Sequence, residues 1–252
     1  MQFNLEESPS LLLDRGPAAA GTSLGKWSGK PLIVGASIAS GENQFLPEVL
    51  NEAKAVARFG NKPNLLLAEQ ATEAQVAARL TTASTIHFAG HAALQDGGTR
   101  LLLAPAKTTL AVAGPAGTKP RDAITDKPYL DSALFRKHPP RAARLAVFSA
   151  CSTGKKEEGW NRGMGDIVDT LATLGVPDVV ATRWQIDSSS AVPMMAFFYS
   201  GLAKGLTVPQ ALTSARQSIS GDARYRHPYY WAAYYASGWG KSDLHQVFHA
   251  AN

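Results

Sequence analysis

The chain has 252 residues, 45% of them hydrophobic and 18% charged, which indicates a globular protein with a large core and excludes an intrinsically disordered chain. Its single cysteine, Cys151, excludes an internal disulfide, while the lack of any long apolar run or signal-peptide pattern predicts a cytoplasmic protein with no membrane partner. Part of the net charge of +5 comes from a cluster that lacks interleaved aromatic residues and therefore predicts a solvated loop, with nucleic acid at most an indirect partner: Arg136, Lys137, His138, Arg141 and Arg144.

The first third of the chain alternates strand and helix patterns. Three apolar runs predict buried strands: residues 31–38, 64–68 and 85–91. Two segments between them have helical spacing, and the second opens on a Thr-x-x-Gln capping box: residues 47–59 and 72–80. This order predicts an α/β fold with a central, mostly parallel sheet flanked by helices.

The remainder of the chain continues this alternation after an irregular stretch. Residues 99–104 are a candidate strand, residues 107–127 a Gly-, Ala- and Pro-rich loop, and residues 129–137 a candidate short helix. Further strands are predicted at residues 145–150, 176–184 and 231–237. Further helices are predicted at residues 166–174, 188–203 and 207–218.

Two of the apolar runs end on residues of chemical interest. His91 ends one predicted strand, and Cys151 directly follows another. The carboxyl ends of strands are where α/β folds present reactive groups, and imidazole is the usual acceptor of a thiol proton. The backbone amides of Cys151 and of Ala92 or Gly90 are the expected donors to an oxyanion. Together these residues predict a cysteine peptidase.

Other interpretations of these residues remain open at the level of sequence. Free cysteines are among the most buried residue types, so a packing role is the main alternative for Cys151. The turn sequence after Cys151 and the histidine strand favour the catalytic interpretation. His87 alternates with Phe88 within its strand and is expected to be a structural histidine with satisfied hydrogen bonds. No further ligands stand at metal spacing, so no metal is predicted.

Four segments of the chain, taken together and in this order, resemble the CHAT family of caspase-like cysteine peptidases: Thr85–His91, Phe148–Gly154, Thr182–Asp187 and His227–Ala232. The resemblance covers about residues 30–238. It implies a caspase-like three-layer sandwich, endopeptidase activity without a cofactor, His91 as general base and Cys151 as nucleophile. We accordingly divide the chain into a lead-in at residues 1–29, a CHAT peptidase domain at residues 30–240 and a tail at residues 241–252.

The chain departs from the family pattern at two positions. Ala92 stands where the family usually has glycine after the histidine, and a positive φ at an alanine would be costly. Ser188 stands where a second acid follows Asp187. The resemblance assigns Asp187 to a pocket for a basic side chain before the cut, although a helix N-cap is an equal alternative. It also assigns Trp184 and Ser149 to substrate binding, while Arg183 would instead favour an acidic substrate residue.

The resemblance further implies how the protein acts. The expected substrate is a protein, and the expected switch is an activating protein partner or an upstream helical-repeat region in a bacterial defence or stress system. The loops at residues 105–127 and 154–165 flank the site in sequence and are predicted to form a lid, the second of them open to self-cleavage. Two alternatives remain, namely a catalytically silent caspase-like scaffold and a small-molecule amidohydrolase.

Overall fold

The structure is a computed structural model that describes residues 30–37, 45–95, 98–105, 128–152 and 165–238, with the backbone alone at residues 151 and 152. The predicted lead-in, the predicted tail and the central parts of both predicted lid loops lie outside these ranges.

Within these ranges the chain forms one mixed sheet and six α-helices. The strands are β1 (Lys30–Ala36), β2 (Asn64–Leu67), β3 (Ala83–Gln95), β4 (Gly98–Leu102), β5 (Tyr129–Leu130), β6 (Leu145–Ser152), β7 (Asp178–Thr182) and β8 (Tyr234–Gly238). The helices are α1 (Pro47–Ala57), α2 (Glu73–Leu80), α3 (Ser132–Lys137), α4 (Gly165–Thr173), α5 (Ser188–Ala203) and α6 (Val208–Ser220). None of these helices is both long enough and apolar enough to cross a membrane.

The sheet is mostly parallel, as the alternation of strand and helix patterns predicted. Its main path runs β2-β1-β3-β6-β7-β8, in which the first five strands are parallel and β8 is antiparallel to β7. The short strands β4 and β5 extend it from β3 by antiparallel pairing. Parallel strands covered on both faces need apolar side chains on both faces, which explains the continuous apolar runs in β1, β3 and β6.

Two helical layers cover the sheet and complete a caspase-like three-layer α/β sandwich. The helices α2, α3 and α4 pack on one face, where Phe88 and Phe148 are among the fully buried side chains. The helices α1, α5 and α6 pack on the other face, around Ile33, Val147 and Phe198. The fold class predicted from the sequence is therefore confirmed.

Local signals in the sequence explain where several helices begin and end. The carboxylate of Asp131 accepts a hydrogen bond from the Leu134 amide at 2.9 Å and begins α3. The amide of Thr207 donates to Gln210 Oε1 at 3.0 Å in the capping box that begins α6. Gly175 has a φ of 91°, a conformation that suits glycine after the end of α4.

Three sequence predictions of element boundaries were wrong. Residues 129–137 are not one helix, because Tyr129–Leu130 pair with β4 and Asp131 then caps a shorter helix. The last strand begins at Tyr234 and not at Trp231, because residues 231–233 form a turn after the 3₁₀ helix Pro228–Tyr230. The strand that carries His91 does not end there but continues to Gln95.

Candidate active site

The pairing of β3 with β6 brings the two predicted reactive residues to the same level of the sheet. His91 and Cys151 are direct partners in this parallel register, and Ala92 partners Ser152. Partners on adjacent parallel strands share one face of the sheet. The fold thus places a histidine and a cysteine side by side on neighbouring strands, although the chain separates them widely.

This pair lies at the carboxyl edge of the parallel sheet, where α/β folds bind their ligands. On one side β1 ends at Ala36, which partners Gly90. On the other side β7 ends at Thr182, whose hydroxyl donates to the carbonyl of Ala150 at 2.7 Å. The strands β3 and β6 therefore project beyond their neighbours at the level of the pair.

The continuation of β3 past His91 explains how the histidine is held. Residues 92–95 pair antiparallel with β4, starting from Ala92 opposite Leu101. The pairing partner on that side of β3 changes from β1 to β4 at the level of His91. The prediction that the histidine ends its strand missed this hairpin, and the histidine instead sits within a paired strand, where a side chain is more rigidly placed than in a loop.

A buried polar cluster supports β3 around His87, which lies four residues before His91 on the same face of the sheet. Tyr199 Oη lies 3.1 Å from Nδ1 of His87, and Glu52 Oε1 lies 3.2 Å from Nε2 of the same ring. The tyrosine hydroxyl is hydrogen-bonded to Nδ1, whereas Nε2 and Glu52 Oε1 lie at ion-pair distance without forming a regular hydrogen bond. The side chains of His87 and Glu52 are only 1% and 2% exposed. His87 is a buried structural histidine, as predicted, but the prediction that its hydrogen bonds are satisfied is confirmed only for Nδ1.

The cluster joins β3 to two helices, because Glu52 belongs to α1 and Tyr199 to α5. Burial, and secondarily the charge of Glu52, raises the pKa of Tyr199 well above its ordinary value. The tyrosine therefore remains a neutral hydroxyl that can donate to His87. Since residues two apart on a strand share a face, His87 also shows that His91 lies on the face covered by α1 and α5.

Ser149, a predicted substrate-binding residue, lies below the pair within the core. It is 3% exposed, and its hydroxyl is 3.0 Å from the Tyr234 hydroxyl on β8. This hydrogen bond links β6 to β8 across β7. The assignment of Ser149 to substrate binding stays a prediction.

Trp184 and Asp187 lie in the segment between β7 and α5. The indole Nε1 of Trp184 donates to the Tyr229 carbonyl at 3.2 Å. The carboxylate of Asp187 accepts from the Ser190 amide at 3.0 Å and so caps α5. Ser190 Oγ in turn lies 3.3 Å from the Tyr230 carbonyl. These hydrogen bonds connect the third signature segment, Thr182–Asp187, with the fourth, His227–Ala232, beside the carboxyl edge of the sheet. The N-cap interpretation of Asp187 is confirmed.

Comparison with known protein families identifies the chain. The family model of the CHAT domain matches residues 3–239. The chain belongs to the CHAT family. The match includes all four signature segments and begins within the predicted lead-in, while a comparison with curated proteins found no match. The caspase-like fold and the relationship to cysteine peptidases follow from this membership.

The departure of this CHAT domain at Ala92 introduces no backbone strain. Among the described residues, the non-glycine positions with positive φ are Lys62 and Ala68, so Ala92 keeps an ordinary strand conformation. Gly90 has a packing reason to be glycine, because a Cβ there would lie 2.9 Å from the Ala36 carbonyl oxygen. The roles of Gly90, Ala92 and Cys151 as oxyanion donors stay predictions.

Arg183 lies on the α4 side of this CHAT domain. Its guanidinium carbon is 5.1 Å from the ring centroid of Tyr235, a cation–π distance, and Tyr235 packs against the core beneath α2, α3 and α4. His91 belongs to the opposite face. The contact therefore gives no support to the alternative in which Arg183 receives an acidic substrate residue, which stays a prediction.

The sequence analysis missed Glu52, Tyr199 and Tyr234. Glu52 had a detectable signal, because it occupies a core position of α1 together with the buried Val49, Ala53 and Val56. The two tyrosines had none, since their partners are distant in the chain. In the described part of the chain, no three His, Cys, Asp or Glu side chains are grouped so as to hold a metal ion.

The Tyr199→Phe variant tests the buried cluster through its dependence on pH. The folded-state pKa of Tyr199 is raised, so its contribution to stability is present below the ordinary value near pH 10 and is lost as pH rises above it. We expect the variant to lose about 0.5–1.5 kcal/mol at about pH 8 and to show a shallower alkaline decline than wild type. Urea unfolding at about pH 8 and about pH 10.5 measures both effects. A decline as steep as that of wild type would contradict the assignment; Tyr229→Phe, which removes an exposed hydroxyl, is the control.

Two substitutions at Asp187 separate its capping role from its charge. Asp187→Ala removes the acceptor for the Ser190 amide and is expected to lower the free energy of unfolding by about 1 kcal/mol. Asp187→Ser keeps an effective N-cap and is expected to remain within a few tenths of a kcal/mol of wild type. Urea unfolding of the pair decides the matter, and equal losses in both variants would show that the charge, not the cap, stabilises α5.

Proposed function

We propose that this CHAT domain is a cysteine endopeptidase with a Cys151–His91 dyad. The observation that carries the proposal is the direct pairing of His91 with Cys151 at the carboxyl edge of the sheet. A thiol nucleophile needs a base close to it, and neighbouring strands in register, about 4.8 Å apart, hold two residues beside each other with little freedom. The family relationship to cysteine peptidases supports the same chemistry.

The proposed reaction uses these two side chains in sequence. His91 accepts the proton of the Cys151 thiol as the sulfur attacks the scissile carbonyl carbon. The resulting oxyanion receives hydrogen bonds from the amides of Cys151 and of Ala92 or Gly90. As the peptide bond breaks, His91 returns the proton to the leaving amine, and a thioester remains on the sulfur. Water, deprotonated by His91, then hydrolyses the thioester and regenerates the thiol.

Substrate selection in this proposal involves the segment after β7. Asp187 uses one carboxylate oxygen to cap α5, and a carboxylate has further acceptor capacity for a basic side chain before the cut. The hydrogen bond between Trp184 and the Tyr229 carbonyl holds this segment in place. We propose that Ser149, which lies on the same strand as Cys151, contributes to substrate binding near this site. The substrate is a protein, and no cofactor takes part.

The burial of His91, the proposed base, is consistent with regulation of the peptidase activity by a protein partner. His91 is 7% exposed, so a substrate carbonyl has restricted access to it. We infer that the site opens when a protein partner or an upstream helical-repeat region engages the domain, within a cytoplasmic bacterial defence or stress system. The two predicted lid loops, both continuous with described strands next to the site, are proposed to move in this step.

The same burial favours a second candidate function. A caspase-like domain whose histidine stays enclosed in every state would act as a binding module in a multi-protein complex and cut nothing. The two functions differ in one measurable respect, which is whether new protein ends that depend on Cys151 appear in the presence of candidate partners.

Mass spectrometric identification of new peptide ends tests the proposal. Wild type, Cys151→Ala and His91→Ala are each incubated with a mixed bacterial proteome and with candidate partner proteins, and His138→Ala serves as the matched histidine control. We expect new ends with wild type and His138→Ala, and their loss in the other two variants. Basic residues before the cut would support the role of Asp187.

The opposite results are equally informative. Identical ends in wild type and Cys151→Ala, with every partner, would contradict peptidase activity and favour the binding module. Turnover of small amides by wild type alone, without any cut protein, would favour a small-molecule amidohydrolase.

A further inference from the structure

A broad basic surface lies at the end of the molecule opposite the candidate active site. We call it the basic edge and define it by eight residues: Lys30, Arg58, Lys62, Arg79, Arg136, Lys137, Arg141 and Arg144. All of them are exposed or partly exposed, and they come from five separate stretches of the chain. In the sequence alone, the last four of these residues form a visible cluster, Arg136, Lys137, Arg141 and Arg144, and that cluster predicted a solvated loop.

The parallel sheet explains why these residues meet. The strands β1, β2, β3 and β6 all start at this end, with Lys30 opposite Ala83 and Asn64 opposite Leu32. Lys62 lies two residues before the start of β2, and Arg79 lies in the last turn of α2 before β3. The Arg144 amide donates to the Ser84 carbonyl at 2.9 Å, which fixes the loop before β6 beside β3. Neighbouring strand starts are about 4.8 Å apart, so the charges form a row across the sheet.

The carboxylates of the described residues are distributed differently. Five of them lie at or next to helix starts, at the end of the molecule that carries the candidate site: Glu48, Glu73, Asp131, Asp166 and Asp187. Asp178 begins β7 beside the basic edge, but it is only 2% exposed. Asp169 lies midway along α4. These carboxylates therefore lie away from the basic edge or are buried beside it, whereas basic side chains occur at both ends of the sheet, with Arg100 opposite Ala93 at the candidate-site end.

Helix dipoles account for only part of this separation. Basic side chains in last turns stabilise the negative ends of helix dipoles, and this explains Arg79, Arg136 and Lys137. Lys62, Arg141 and Arg144 lie outside helices, and Lys30 is the first residue of a strand. Helix stability therefore gives no reason for Lys30, Lys62 and Arg141, and we attribute these three to a partner with repeated negative charge.

We propose that the basic edge binds the phosphate backbone of a nucleic-acid duplex without reading its sequence. A duplex presents a continuous row of phosphates and needs no pocket, which matches a row of lysines and arginines across a sheet edge. Stacking of single-stranded bases would require aromatic side chains, and the basic edge includes none. The sequence pI of about 9.3 agrees with an electrostatic nucleic-acid surface. Binding there leaves the opposite end of the sheet open to a protein substrate.

Fluorescence anisotropy of a labelled DNA duplex of about 20 base pairs tests the proposal in the full chain, because the dependence of binding on salt counts the phosphates contacted. The test variant is Lys62→Gln/Arg141→Gln. The control is Arg224→Gln/Arg226→Gln, which removes the same charge near the start of α5, where Tyr225 Oη lies 3.4 Å from the Ser189 carbonyl. We expect wild type and control to bind alike, and the slope of log K against log salt to fall by about 2 in the test variant.

Three results would overturn the proposal. The first is no duplex binding by wild type at low salt. The second is equal weakening in both double variants, which would indicate diffuse attraction by net charge. The third is tighter binding of poly-glutamate than of the duplex at matched charge and salt, which would assign the basic edge to an acidic protein. None of these readouts depends on peptide cleavage, so they are independent of the proposed peptidase activity.

Discussion

The pairing of β3 with β6 is the constraint on which the candidate site depends. The pairing is continuous from Thr85 opposite Leu145 to Ala92 opposite Ser152. A slip of one residue would turn every side chain of one strand to the other face and would separate His91 from Cys151. The core prevents such a slip, because Phe88 and Phe148 are buried on one face while His87 and Val147 are buried on the other. Packing on both sides of the sheet therefore sets the position of the dyad.

The polar cluster of Glu52, His87 and Tyr199 restricts how the helices α1 and α5 pack against β3. Hydrophobic contacts tolerate small shifts, whereas a buried hydrogen-bonded network is stable only when all partners meet. An unpaired carboxylate in the core costs several kcal/mol, so α1 and α5 must dock against β3 in the one arrangement that pairs Glu52 with His87. Since His87 and His91 share a strand and a face, the arrangement of both helices is coupled to the strand that carries the proposed base.

Much of the fold could be predicted from local pattern, and what could not depends on long-range pairing. The helix at Ser188–Ala203 was predicted to within a few residues at its start and at its observed end, because its capping residues and apolar pattern are local. The hairpin after His91 was missed, since the pattern of Leu94 and Gln95 does not reveal that β4 pairs there. The basic edge was missed for the same reason, because its members meet only when strand starts are aligned. His91 and Cys151 were found because each follows an apolar run that the parallel sheet brings to the same edge.

Alkylation of Cys151 tests most directly whether the paired strands create a working dyad. Cys151 is the single cysteine of the chain, so the rate of iodoacetamide labelling as a function of pH reports on this thiol alone. If His91 accepts its proton, wild type and His138→Gln will react substantially faster at neutral pH than His91→Gln, which will follow the profile of a free thiol with a midpoint near pH 8.5. Identical profiles in all three proteins, each with that midpoint, would contradict the dyad and the account built on it.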